Sequence, residues 1–81
     1  MTNFKFTATS DLQKVRVLTP FLVNPQNEVQ KALQAACREF KAANLLDSHT
    51  SRLRGRQHLL NAYRSLPRHH HLMPMLRFVM N

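Results

Sequence analysis

The residues able to do chemistry in this chain are arginines, histidines and one cysteine, gathered mostly toward one end. Asp47 is the last carboxylate side chain. Residues 48–81 carry six arginines (Arg52, Arg54, Arg56, Arg64, Arg68, Arg77), all five histidines, no lysine and no acid. They contribute +6 of the net +8, while residues 1–47 balance six cations against four acids. Arg52 and Arg56 are four apart, as are Arg64 and Arg68, so on a continuous helix each pair shares a face. Guanidinium groups at that spacing can straddle phosphates or grip carboxylates bidentately. A field this one-sided attracts a polyanion or an acidic protein face.

The remaining reactive side chains form no catalytic constellation. Asp11, Glu28, Glu39 and Asp47 are scattered, with no pairing suited to acid–base work. Cys37 has no local base or orienting group and reads as a buried, inert thiol. His69, His70 and His71 are consecutive, and a helix cannot aim three successive residues at one metal. An extended chain could present His69 and His71 together, with His49, His58 or Cys37 beside them, but no regular zinc spacing is evident. A single glycine, Gly55, excludes a phosphate-binding glycine loop. The expectation is a non-enzyme without metal or cofactor, in which the histidines make binding sensitive to pH.

The elements that position these groups can be read from periodicity. Phe4, Phe6 and Ala8 alternate with polar residues, which predicts a strand half-buried on one side. Lys14 to Val17 alternates as well and favours a second strand, although Leu12, Val15 and Leu18 also fit a short helix capped by Ser10. Asn24 and Pro25 predict a helix start, as cap and first helical residue. From there Val29, Leu33, Ala36, Phe40 and Ala43 trace one face of a helix of about 20 residues. Its alanines, 32, 35, 36, 42 and 43, leave a smooth surface that another helix can approach closely.

A break dense in capping residues spans Asn44 to Ser51. A second helix should follow, with Leu53, Leu59, Leu60, Tyr63 and Leu66 as its stripe and Pro67 as its end. Gly55 lies inside this pattern at a cost of about 1 kcal/mol relative to alanine. Either the helix begins after it or something packs closely there.

The ending is apolar, with seven of the last ten residues Leu, Met, Phe or Val. Leu76, Phe78 and Met80 alternate and could form a strand beside the amino-terminal one. Two readings of this tail stay open: it completes the chain's own core, or it docks on a second subunit or a target. The expected architecture is a single domain over residues 1–81 of the α+β class. In it a helical hairpin is flanked by one to three short strands from the chain ends, with all-α as the alternative.

At 81 residues the chain buries roughly 60 to 65% of its unfolded surface, and one cysteine permits no internal disulfide. A homo-oligomer is the physically cheaper way to complete such a core. Met1 to Phe6 lacks the apolar stretch of a signal peptide, and no run is long enough for a membrane span, so a cytoplasmic protein without membrane contact is expected.

For nucleic acid, the charge is favourable but the rest is thin. Six aromatics are dispersed along the chain, most of them at core-like positions, and form no stacking platform. Arg54-Gly55-Arg56 matches the centre of the minor-groove AT-hook without its flanking prolines. Neither a helix-turn-helix nor a ribbon-helix-helix spacing is matched.

Size, the helix pair, the basic balance and the apolar end together resemble small regulators of temperate phages and mobile elements, among them antirepressors. Those proteins bind a phage repressor and take it off its operator. The resemblance is one of layout and transfers no functional residue. It implies a protein-binding regulator that inactivates a transcription factor or other protein target. Arg52, Arg56, Arg64 and Arg68 would supply charge, with Leu76, Phe78 and Met80 as anchors. The alternative is a DNA- or RNA-binding module using the same arginines.

Overall fold

The computed structural model describes residues 9–81, and among them every regular element is helical. Four α-helices follow one another: α1 (Asp11–Leu18), α2 (Glu28–Leu46), α3 (His49–Ser65) and α4 (Met73–Met80), with a 3-10 turn over Thr19–Leu22. The α+β expectation is therefore corrected to all-α. The proposed strand at Phe4 to Ala8 lies outside the described residues.

Lys14 to Val17 is helical because Ser10 builds a reciprocal capping box. Its Oγ accepts from the Gln13 N–H at 3.2 Å, and Gln13 Oε1 accepts from the Ser10 N–H at 3.0 Å. Val15 and Leu18 then share the face that packs on the core. The period-two alternation was a short-run coincidence with no strand edge among the described residues to pair with it.

The start of α2 also differs from expectation. Asn24 adopts a left-handed backbone, φ 55°, which asparagine tolerates better than most residues. The cap is Asn27, whose side chain accepts from the Gln30 N–H at 2.9 Å. Two asparagines with the same capping chemistry stand three residues apart, and only the folded chain distinguishes them.

Between α2 and α3 the break shrinks to Asp47 and Ser48. Asp47 is left-handed, φ 50°, and Ser48 caps α3 by accepting from the Ser51 N–H. This two-residue link makes α2 and α3 a helical hairpin. Gly55 lies inside α3 and is buried against Phe40; a Cβ there would fall 2.8 Å from ring atoms Cε2 and Cζ. The glycine is thus the place where the phenyl ring meets the neighbouring helix backbone.

The tail is core. Met73, Leu76 and Val79 recur at spacing three and are all buried, whereas the predicted strand would have put Leu76, Phe78 and Met80 on one side. Pro74 at the first positions of α4 favours helix, since its fixed φ suits that site and its missing N–H costs no bond there. With Leu18, Leu33, Ala36, Cys37, Phe40, Leu59 and Ala62, these residues form one continuous core. Thr9 fastens the front of the described chain to its end: its N–H donates to Asn81 O at 3.1 Å and its hydroxyl to Phe78 O at 2.8 Å.

Candidate interaction surface

The arginines of α3 divide into those that hold the fold and those that face outward. Arg52 Nε donates to Asp11 at 2.8 Å and its Nη2 donates to Asp47 at 2.7 Å. One side chain thus ties the first turn of α1 and the cap of α2 to α3. These hydrogen bonds, Asp47 first and then Asp11, raise the guanidinium above its ordinary pKa. Arg56 Nη1 donates to Met80 O at 3.3 Å, where the exposed carbonyls of α4 favour a cation. The shared face expected for Arg52 and Arg56 exists, and both side chains bond to other parts of the chain, although Arg56 stays exposed to solvent.

Arg64 and Arg68 do not form the expected pair. Arg64 sits in the last turn of α3, but Leu66 is extended ahead of Pro67 and Arg68 lies beyond the helix in the following turn. Both are exposed, as are Arg54 and Arg77, and none of the four has an ion-pair partner among the described residues.

The three apolar anchors separate in the same way. Leu76 is completely buried and is corrected from surface anchor to core residue. Met80 is half-buried, and Phe78 is 49% exposed on the outside of α4. Other large apolar side chains lie open to solvent as well: Leu12, Val23, Leu45, Leu46, Leu53 and Tyr63.

Sequence reasoning missed a shallow, open depression beside α3 and α4, about 320 Å³ in volume, lined by Tyr63, Arg77, Met80 and Asn81. The periodicity places Tyr63 on the core-facing stripe of α3, and Arg77 stands alone in an apolar run. The available signal was the spacing of three between Arg77 and Met80, which places both on one side of a short helix. A second cleft of about 350 Å³ lies beside the turn after α3, lined by Phe21, Val29, Leu66 and Leu72 with His70 and His71 at its edge. The two imidazoles stack with centroids 4.4 Å apart, and His70 Nδ1 accepts from the Leu72 N–H at 3.1 Å. Among the described residues no three His, Cys, Asp or Glu side chains are grouped as a metal ion requires.

Cys37 is fully buried, with its Sγ 3.8 Å from Val15 O; burial raises its thiol pKa and suppresses the reactive thiolate. Lys14 reaches over the Phe40 ring at 5.1 Å from its centroid. Burial lowers its pKa, Asp11 opposes that shift, and the nearby Arg56 and Arg52 reinforce it.

Compared with known proteins, this chain matches no family, no curated sequence and no solved structure. None of the described helices is long and apolar enough to cross a membrane.

Proposed function

We propose that this chain is a small basic regulator that binds and inactivates a protein target in the cytoplasm, in the manner of an antirepressor acting on a repressor. The observation that supports this reading most is the coexistence of open apolar side chains with arginines that have no ion-pair partner among the described residues. Arg54, Arg64, Arg68 and Arg77 share the surface of α3, α4 and their connecting turn with Leu53, Tyr63 and Phe78. Protein interfaces favour this combination of arginine, aromatic and aliphatic groups. Leu45 and Leu46, 78% and 76% exposed at the end of α2, support self-association as well.

The same four arginines favour a second reading, contact with nucleic acid phosphates. Titrating fluorescent random duplex DNA at low and at physiological salt separates the two. Each phosphate neutralised on a duplex makes binding fall by roughly 0.9 log units per log unit of salt. Duplex binding that is absent, or confined to low salt, is the expected result. Micromolar binding that persists at physiological salt with a steep salt slope would overturn the protein-binding reading.

A further inference from the structure

The cleft beside the turn after α3 is walled by carbon, and its lining falls between Phe21 and Leu72, away from both ends of the described chain. Phe21, Val29, Leu66 and Leu72 are each half-buried and pack against the core, so the fold holds these walls in place. At about 350 Å³ the cleft lies near the lower end of volumes that hold small molecules, roughly 300 to 1,000 Å³. Three polar side chains of the lining already engage their acceptors with the backbone. Asn27 Oδ1 accepts from the Gln30 N–H at 2.9 Å, Gln30 Oε1 from the Gln26 N–H at 2.7 Å, and His70 Nδ1 from the Leu72 N–H at 3.1 Å. A backbone N–H can only donate, so each bond fixes which atom of the side chain is the acceptor. What remains at Asn27 Nδ2, Gln30 Nε2 and, in the neutral ring, His70 Nε2 is N–H alone, with no acceptor bonded to it among the described residues. The His71 ring, stacked with its centroid 4.4 Å away, supports His70 in that pose. Glu28, the acid nearest in sequence, does not line the cleft; its side chain is 89% exposed and paired with Lys31 at 3.2 Å.

We infer that this cleft binds a small apolar molecule that carries acceptor oxygens, a carboxylate or carbonyl group on a compact ring body. The walls take the carbon body, and the N–H groups of Asn27, Gln30 and His70 take the oxygens. A ligand that presents an amine instead would set donors against donors and leave both unpaired, the costlier arrangement. The inference is independent of the protein-binding reading, because none of the arginines or open apolar side chains assigned to that surface lines the cleft. The cleft joins the start of α2 to the turn that leads into α4, and an occupant that binds only the folded chain raises its melting temperature.

The test is a proton–nitrogen correlation NMR titration of the full chain with three probes of one shape: 2-naphthoate, 2-acetylnaphthalene and 2-naphthylmethylamine. The first offers a carboxylate, the second a neutral carbonyl and the third only donors. The variants are Asn27→Asp and Gln30→Glu, which keep the acceptor each backbone N–H uses, suit the first turn of α2 and remove the amide donors. Gln57→Glu is the control, the same chemical change at an exposed position of α3 outside the cleft. Circular dichroism verifies that each is folded. Naphthoate should bind with a dissociation constant on the order of 0.1 mM, shift the side-chain amide signals of Asn27 and Gln30, and raise the melting temperature. Either cleft variant should weaken the ketone about fivefold, as losing a neutral hydrogen bond does, and naphthoate about tenfold or more. Gln57→Glu should change neither by more than about twofold, and the amine should bind at least about tenfold more weakly than naphthoate.

Equal binding of ketone and naphthoate supports the cleft with acceptor oxygen as the sole requirement, and a much weaker ketone supports it with carboxylates as the ligand class. An amine that binds as well as naphthoate refutes selection by the free N–H groups. Shifts at Tyr63 or Leu45 without shifts at Asn27 and Gln30 would show adsorption to open apolar surface and overturn the site. Losses with Gln57→Glu that match those of the cleft variants, or no binding by any probe, overturn it as well. Each of these failures leaves the protein-binding reading standing.

Discussion

Replacing Gly55 with alanine should destabilise this protein, although the same change improves most helices. In a helix interior alanine is favoured over glycine by about 0.8 to 1 kcal/mol. Here the added methyl would fall 2.8 Å from Phe40 Cε2 and Cζ and 3.0 Å from Cδ2. Comfortable carbon contacts begin near 3.5 Å, so ring and helix must separate by roughly 0.5 to 1 Å. Phe40 is only 2% exposed and Lys14 lies over its ring, so the ring has little room to retreat. Overpacking of this kind costs about 1 to 3 kcal/mol. The net effect is a loss of about 1 kcal/mol, equivalent to roughly 4–8 °C in melting temperature for a domain of this size.

The sign decides the question, because a glycine that is merely tolerated would give a rise of similar size. Thermal and urea melts followed by far-ultraviolet circular dichroism would measure it. A second background makes the cause specific. With Phe40→Leu the obstructing ring is gone, and Gly55→Ala should then stabilise relative to Phe40→Leu alone. The coupling expected for two residues in direct contact is about 0.5 to 3 kcal/mol. A higher melting temperature for Gly55→Ala in the natural background, or the same shift in both backgrounds, would refute the close approach of α2 and α3 at this point.

Leu76→Ala should cost about 2 to 5 kcal/mol, a large share of the stability of so small a domain, while the half-exposed Phe78→Ala should change stability little; urea melts compare them. Arg52→Gln should lower the melting temperature by releasing Asp11 and Asp47, and added salt should narrow the gap to the natural protein; equal melting at low salt would show that the clasp contributes nothing. Cys37 should react with a soluble disulfide reagent only as fast as the chain opens, so denaturant should accelerate labelling. Because burial raises its pKa, the unfolded thiol ionises first and stability should fall as pH rises from the unfolded toward the folded value. Cys37→Ala should make that alkaline decline shallower in urea melts, against an opposing rise from Lys14, whose folded pKa is lowered by burial.

The part of the site legible beforehand was the charge, and the part hidden was its use. That Arg52 and Arg56 share a helix face followed from their spacing. That Asp11, 41 residues earlier, would meet Arg52 did not, because nothing local links them. Leu76, Phe78 and Met80 looked alike as apolar tail residues, yet α4 buries the first, half-buries the third and turns the second outward. The alternation behind the strands predicted at Lys14 to Val17 and at Leu76 to Met80 ran over too few residues to exclude a helix, and the Ser10 capping box in the first case and Pro74 in the first turn of α4 in the second favoured helix.

By itself the sequence determined the long α2 helix, its hairpin partner ended by Pro67, the buried thiol and the basic bias of everything after Asp47. These depend on local periodicity, backbone restriction and composition, which act without reference to distant residues. Only the tertiary structure decided which arginines are engaged within the fold, that the apolar tail is core, and that Tyr63 and Arg77 border one shallow depression. Those outcomes depend on the docking of α1 and α4 against the hairpin, a packing between segments far apart in the chain that no local pattern encodes.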